Sequence, residues 1–229
     1  MYVPGSNAEQ RPEVMFDFIE AHPLGILVTA SDDGLFATHM PLLLERMRGP
    51  HGTLQGHIAR ANPQHALPAT DAEVLVIFSG PDAYISPSFY PSRGEHGKVV
   101  PTWNYVAVHA YGRVRYTSDP DFLRAHVGRL TAHHEANRAT PWSVEDAPAE
   151  YVAQQLRAIV GVEIDITRLE GKWKMSQNRS AADIDGVVAG LGASDEARER
   201  QVAEVVQSRR ASASREPKTV PPPTERTHG

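Results

Sequence analysis

The sequence predicts a mainly β fold of the α+β kind: an antiparallel barrel with helices on its flank and at its C-terminal end. Three observations predict it. Six or so short strand patterns precede the first long helical pattern, and one more strand stands between later helices. No GxGxxG, P-loop or GxSxG signature falls where an alternating parallel sheet would use it.

Taken in order, "RPEVMFDFIEAHP" reads as a helix opened by Pro12, turned inward through Val14, Phe18 and Ile19, and stopped by Pro23. "LGILVTA" and "LFATHM" flank the turn signal "SDDG" and read as a hairpin, with Pro41 ending the second strand or marking an edge position. "GTLQGHI" is a short strand running into "ARANPQ", a turn or short helix. "EVLVIFSG" is almost wholly apolar and reads as a buried strand, followed by "DAYISPSFY" and the loop "PSRGEHGK". A long strand comes next, from Val99 to Tyr116. "SDPDFLRAHVGRLTAHHEANR" is a helix with Ser118 or Asp119 as cap, Pro120 early, and Phe122, Val127 and Leu130 inward. "DAPAEYVAQQLRAI" repeats the cap-then-proline signature. "VGVEIDITRLEG" alternates through Val160, Val162, Ile164 and Ile166, as a strand does. "SAADIDGVVAGL" and "SDEARERQVAEVVQS" read as two final helices. The expected organisation is one domain over residues 1–207 and an Arg/Ser/Pro-rich, disordered tail over 208–229.

The long strand "VVPTWNYVAVHAYGRVRY" is unusual on both faces. One carries Thr102, Asn104, Val106, Val108, Ala110, Gly112, Val114 and Tyr116; the other carries Trp103, Tyr105, Ala107, His109, Tyr111, Arg113 and Arg115. Antiparallel strands usually turn one apolar face inward and one polar face to water. The aromatics of the second face are too large and apolar for that role, so something is expected to cover it.

Composition narrows the classes. A hydrophobic fraction of 41% and a charged fraction of 22% are ordinary globular values. No apolar run approaches the ~20 residues of a membrane span, and "MYVPGSNAEQRPEV" lacks a charged-then-apolar leader, so a cytoplasmic protein without membrane contact is expected. The absence of cysteine excludes disulfides, thiolate nucleophiles, iron–sulfur clusters and Cys-ligated zinc or haem. Net charge is −5. Residues 208–229 hold five cations and two anions, hence +3, which leaves −8 on the remainder. That balance argues against a body that grips DNA by itself, because phosphate neutralisation needs a basic surface.

Three places hold groups able to do chemistry. In "GTLQGHIARANPQ", Gly56 relieves a strand of bulk, and His57, Arg60 and Asn62 cluster at its end, where guanidinium and backbone N–H donors suit a phosphate. On spacing alone, a capped turn with a surface arginine accounts for the same residues better than a phosphate site does. "LFATHMP" sets Thr38 and His39 on opposite faces of a strand. "KWKMSQNRS" gathers Lys172, Lys174, Ser176, Gln177, Asn178 and Arg179 with Trp173 and Met175, a donor and acceptor set able to read a heterocycle edge. Among the histidines, His126, His133 and His134 lie on a helix without zincin spacing and read as a solvated or partner-facing set. His39, His57 and His109 sit in strands, where convergence would permit a haem or metal site.

Together the segments "MYVP", "HPLGILVT", "ATHMPLLLE", "LQGHIARANPQ", "FSGPDAYISPSFYP", "KVVPTWNYVAVHAYGRVR", "LTAHHEANRATPWSVEDAP" and "AIVGVEIDITRLEGKWKMSQNRSAADIDGVVAGL" resemble the PaiB-type FMN-binding proteins, often labelled negative transcriptional regulators. The resemblance runs from Met1 to about Leu191, and "VPTWNY" and "KMSQNR" are its most specific strings. It implies a flavin-binding split barrel and a homodimer with FMN in a groove between subunits, the partner covering the Trp103, Tyr105 and Tyr111 face. On that pattern Thr38, His39 and Met40 line the flavin, and His57, Ala59, Arg60 and Asn62 form the phosphate end. Val100, Pro101, Thr102, Trp103 and Asn104, with Ser176, Gln177, Asn178 and Arg179, close the site, partly from the partner.

The expected function is that of an FMN-binding negative transcriptional regulator, acting on DNA or through a regulatory partner. Two alternatives belong to other classes. One is a flavin-dependent oxidoreductase acting on a small molecule. The other is a haem enzyme resembling piperazate synthases, with His39 the candidate ligand; otherwise no metal is expected. No residue stands out as general acid, base or nucleophile, so any redox chemistry rests with the cofactor.

Overall fold

The computed structural model describes residues 1–32, 34–66 and 73–213. They fall into two compact units. The first comprises residues 1–80 and 106–173; the second comprises 81–105 and the chain from Lys174 onward. In chain order the elements are β1 (Ala8–Glu9), α1 (Pro12–Ala21), β2 (Leu24–Ser31), β3 (Gly34–Pro41), β4 (Leu43–Glu45), β5 (Thr53–Ala59), β6 (Val74–Ile85), α2 (Ser92–His96), β7 (Thr102–Thr117), α3 (Pro120–Glu135), α4 (Ala149–Arg157), β8 (Ile159–Lys174), α5 (Ala181–Gly192) and α6 (Ala197–Ala213).

The first unit is built on a single sheet in the order β3-β2-β6-β7-β8-β5-β4, with β1 added to β8. The pairs β2–β3, β2–β6, β4–β5, β5–β8 and β1–β8 are all antiparallel. The ladder stops at β3 on one side and β4 on the other, so hydrogen bonds do not close it: the strand count predicts the antiparallel barrel, and the family resemblance implies its split form. Its interior is the alternate set of each strand. Leu27, Leu54, Val76, Phe78, Val108, Val162 and Ile164 are all inaccessible to solvent. Gly56 belongs to this packing. A Cβ there would sit 2.4 Å from Met40 Cε and 2.9 Å from Leu42 Cδ2, so these two side chains fill the space that the missing Cβ leaves.

Helix ends follow the sequence signals. Pro12 opens α1, and Asp119 caps α3 by accepting from the Asp121 N–H, with Pro120 as the first residue. The buried faces differ by a residue or two from those expected. Helix α1 turns Met15, Phe18 and Ile19 inward, with Val14 only half-buried. Helix α3 buries Leu123, His126 and Leu130. Trp173 continues β8 rather than joining a loop, and packs edge-on to Phe18 at 5.4 Å.

The second unit centres on α5 and α6, which bury Val187, Leu191, Val202, Ala203 and Val206. Asp183, buried in α5, accepts from the Ser92 N–H (3.1 Å) and Ser92 hydroxyl (2.9 Å) at the start of α2. Gly186 lets α5 ride against the Ser86–Tyr90 turn: a Cβ there would lie 1.9 Å from the Phe89 carbonyl oxygen. Helix α6 runs to Ala213 and so includes the first six residues of the expected tail; residues 214–229 lie outside the described residues. Among the described residues no helix is long and apolar enough to cross a membrane.

Candidate functional site

The strand register creates a groove in the first unit. Ile26 on β2 stands opposite His39 on β3 and opposite Ile77 on β6, so the three side chains form a row on one face. The row is open. Leu24 is 63% exposed, His39 is exposed, and Ile26 and Ile77 are half-buried, lining a cavity of about 390 Å³ with Ser79 and His22 at its edge. His22 is held by its stack on Phe18 and by a 3.0 Å contact of Nδ1 with the Phe18 carbonyl. The apolar run "EVLVIFSG" concealed this, because its outward residues are as apolar as its inward ones.

The other face of the same strands holds the polar end. Thr38, opposite Leu27, accepts a 2.9 Å bond from the Asn62 amide. Asn62 Oδ1 accepts from the Gln64 N–H at 2.9 Å, and Gln64, fully buried, donates to Thr29 Oγ1 at 3.0 Å. Thr38 and His39 therefore face opposite sides of an edge strand, as the spacing predicts. Met40 turns its side chain into the core, so only its main chain faces any ligand.

The phosphate-end residues divide. Ala59 and Arg60 are exposed. The Arg60 guanidinium donates to the carbonyls of Arg157 (2.7 Å) and Ile159 (2.9 Å) and to Ser118 Oγ (3.2 Å). Three of a guanidinium's five N–H donors are thus spent on the C-terminal end of α4 and its surroundings. His57 pairs with His126: the Nδ1 to Nε2 distance is 3.1 Å. Burial lowers the His57 pKa. The same cause, added to by the charges of His57 and Arg129, brings His126 down to about 4. His126 is therefore a core residue, not the solvated or partner-facing one its helix suggested. His39, His57 and His109 do not converge: His109 packs beside Tyr111, and among the described residues no three His, Asp or Glu side chains stand close enough to hold a metal ion.

The aromatic face of β7 is covered unevenly. In the first unit the Arg168 guanidinium lies 3.6 Å from the Tyr111 ring centroid, and the Tyr111 hydroxyl meets Glu170 and the amine of Met1. Part of the cover thus comes from the chain itself. In the second unit Trp103 is 53% exposed, with the Tyr84 ring edge-on at 6.2 Å.

The second unit also holds the "KMSQNR" turn. Ser176 has φ of 61°, the sole left-handed non-glycine residue among those described. Buried Asn104 holds it there by donating to Ser176 Oγ at 3.0 Å, while the Gln177 side chain accepts from the Met175 N–H at 2.6 Å. Lys174 donates to Thr102 Oγ1 and the Trp103 carbonyl, and Arg179 lies over the Tyr90 ring. Asn178, Val100 and Pro101 are exposed. The strings "VPTWNY" and "KMSQNR", far apart in sequence, are thereby tied together within one unit.

An open apolar strand groove beside a polar strand end is the kind of concave surface that can hold a flat ring by its faces and fix its edge by polar groups. Comparison with known proteins agrees. Residues 1–168 match the family described as "Putative FMN-binding domain", and the chain belongs to this family. It is 37% identical over 226 residues to the "Uncharacterized protein AN0679" of Emericella nidulans, covering 83% of this chain and 90% of that protein. It is 31% identical over 209 residues to "Protease synthase and sporulation protein PAI 2" of Bacillus subtilis, covering 91% and 98%. Among solved structures, the FAD and haem binding protein of Mycobacterium smegmatis superposes with a TM-score of 0.54 at 14% identity, over 80% of each chain, which marks a shared fold.

Proposed function

We propose that the protein binds FMN as a homodimer and acts as a negative transcriptional regulator of PaiB type. The groove of Ile26, His39 and Ile77 carries the reading. Its donor set fits one wall of a flavin site, with an apolar floor for a flat ring and His39 and Ser79 at the rim. Thr38, the Met40 main chain, Ala59, Asn62 and the remaining donors of Arg60 would take the polar and phosphate end. Val100–Asn104 and Ser176–Arg179 of a second copy would supply the facing wall. The exposed Trp103 supports this, since an aromatic of that size gains most from burial at an interface. When bound, FMN supplies electron-transfer chemistry; the chain's residues bind it, orient it and exclude water. The net charge of −5 favours regulation through a partner over a direct grip on DNA.

The purified protein's absorption spectrum tests the cofactor: flavin bands are expected, and a Soret band would instead support the haem reading with His39 as ligand. The runner-up is a flavin-dependent oxidoreductase, favoured by the solvent-open groove beside His39. NAD(P)H bleaching of the flavin with turnover of a small substrate would establish it. Salt-dependent retardation of promoter DNA, with or without an added partner, supports the regulator.

A further inference from the structure

A second cavity, of about 540 Å³, opens between α3 and α4 in the first unit; it shares no lining residue with the groove of Ile26, His39 and Ile77 and meets the proposed flavin site only at Arg60. Its floor is apolar, made by Leu123 of α3 and by Ala153 and Leu156 of α4. Three arginines line it: Arg60, Arg124 and Arg157. Arg46, Arg48, Arg115, Arg129, Arg168, Arg198 and Arg210 each hold a carboxylate, whereas none of these three has one within ion-pair distance among the described residues. Arg60 is fixed by two carbonyls and Ser118, so its charge is held in place at no further entropic cost. One anion, Asp121, stands on the same wall.

We propose that this cavity is a binding site for a small amphipathic monoanion, an aliphatic or aryl carboxylate. The apolar floor takes the hydrocarbon body, and Arg124 and Arg157 take the carboxylate against the fixed charge of Arg60. The cavity's volume suits a ligand of that size. Charge selects the headgroup. Arg60 has three of its five donors spent on the Arg157 and Ile159 carbonyls and Ser118. Asp121 offsets a further charge, so about one positive charge keeps free donors, which matches a carboxylate and leaves the second charge of a phosphate ester unpaired. Guanidinium forks match the planar carboxylate geometrically, and an apolar floor strengthens that contact by excluding water.

Calorimetric titration of the full chain with octanoate tests the site, with octan-1-ol and octyl phosphate as competitors. Octanoate is expected to bind in the micromolar to millimolar range, and octan-1-ol not to displace it. The Arg124→Glu/Arg157→Glu variant is expected to lose about tenfold or more in affinity, while Arg124→Lys/Arg157→Lys retains most of it. Circular dichroism melting of each variant establishes that it is folded, and Leu156→Ser supplies a second, uncharged probe of the floor. No octanoate binding to the wild-type chain, binding unchanged by charge reversal, or octyl phosphate bound more tightly than octanoate would each overturn the proposal.

Discussion

The Nδ1 atom of His57 on β5 lies 3.1 Å from Nε2 of His126 on α3, where His126 is wholly shielded from solvent. Both imidazoles are therefore neutral in the folded chain at neutral pH, one donating to the other. Unfolding returns His126 from a pKa of about 4 to 6.5. The unfolded chain thus binds more protons between these values, so the contribution is complete above pH 6.5 and is lost as pH falls toward 4. The loss is up to about 3 kcal/mol. Urea unfolding across that window is expected to show a steep decline in the wild-type chain and a shallower one in His126→Gln. Parallel slopes would contradict the buried-pair account.

Gly186→Ala is expected to destabilise the chain by about 1–3 kcal/mol, because the added carbon would meet the Phe89 carbonyl oxygen at 1.9 Å and backbone must move. A urea midpoint equal to that of the wild type would show that α5 and the Phe89 turn do not press together.

Asn104→Ala removes the buried donor that holds Ser176 in its left-handed conformation. A cost of about 1–2 kcal/mol is expected. Ser176→Gly in the same background should recover part of it, because glycine takes that conformation without strain. Absence of any recovery would separate the two residues energetically.

Trp103→Ala is expected to weaken both self-association and flavin retention, since the exposed indole is proposed to meet a second copy and the cofactor. Sedimentation velocity with flavin absorbance reads both at once. A variant that stays dimeric and fully loaded removes Trp103 from the site.

Arg60→Ala separates two roles. Losing the contacts to the Arg157 and Ile159 carbonyls should lower the melting temperature. Losing a charge-assisted phosphate contact should weaken FMN binding by about 1.5–3 kcal/mol. Fluorescence titration at a temperature where the variant is folded distinguishes them: lower stability with unchanged affinity assigns Arg60 to α4 alone.

Much of the barrel was legible because strand alternation and helix caps are local signals. Val160, Val162, Ile164 and Ile166 announce β8 at period two, and Asp119 with Pro120 announces α3. What was not legible depends on distant partners. His126 occupies the middle of an inward stripe, Leu123–His126–Leu130, and only the His57 ring from β5 makes burial of an imidazole there tolerable. The direction of Arg60 is set by carbonyls 97 and 99 residues further along the chain. The open face of β6 was hidden because Leu75 and Ile77 are as apolar as the core residues between them. Thr38 and His39 drew attention by their alternation on a strand, and "VPTWNY" and "KMSQNR" through the family resemblance. The register sets Thr38 and His39 on opposite faces, and the Asn104–Ser176 bond ties the two strings together.

The interrupted wiring of the second unit bears on the order in which the protein is made. Its first portion, residues 81–105, leaves the ribosome well before the second, which starts at Lys174. Asp183 cannot reach Ser92, nor Asn104 the Ser176 turn, until the intervening barrel strands have been synthesised. Those long-range closures carry an entropic cost that a collapsed barrel reduces by bringing the two ends of the loop together. Truncating the gene after β8 would strand Ser92 and Asn104 without their hydrogen-bonding counterparts, so the C-terminal helices are a late-arriving keystone for a unit begun almost a hundred codons earlier.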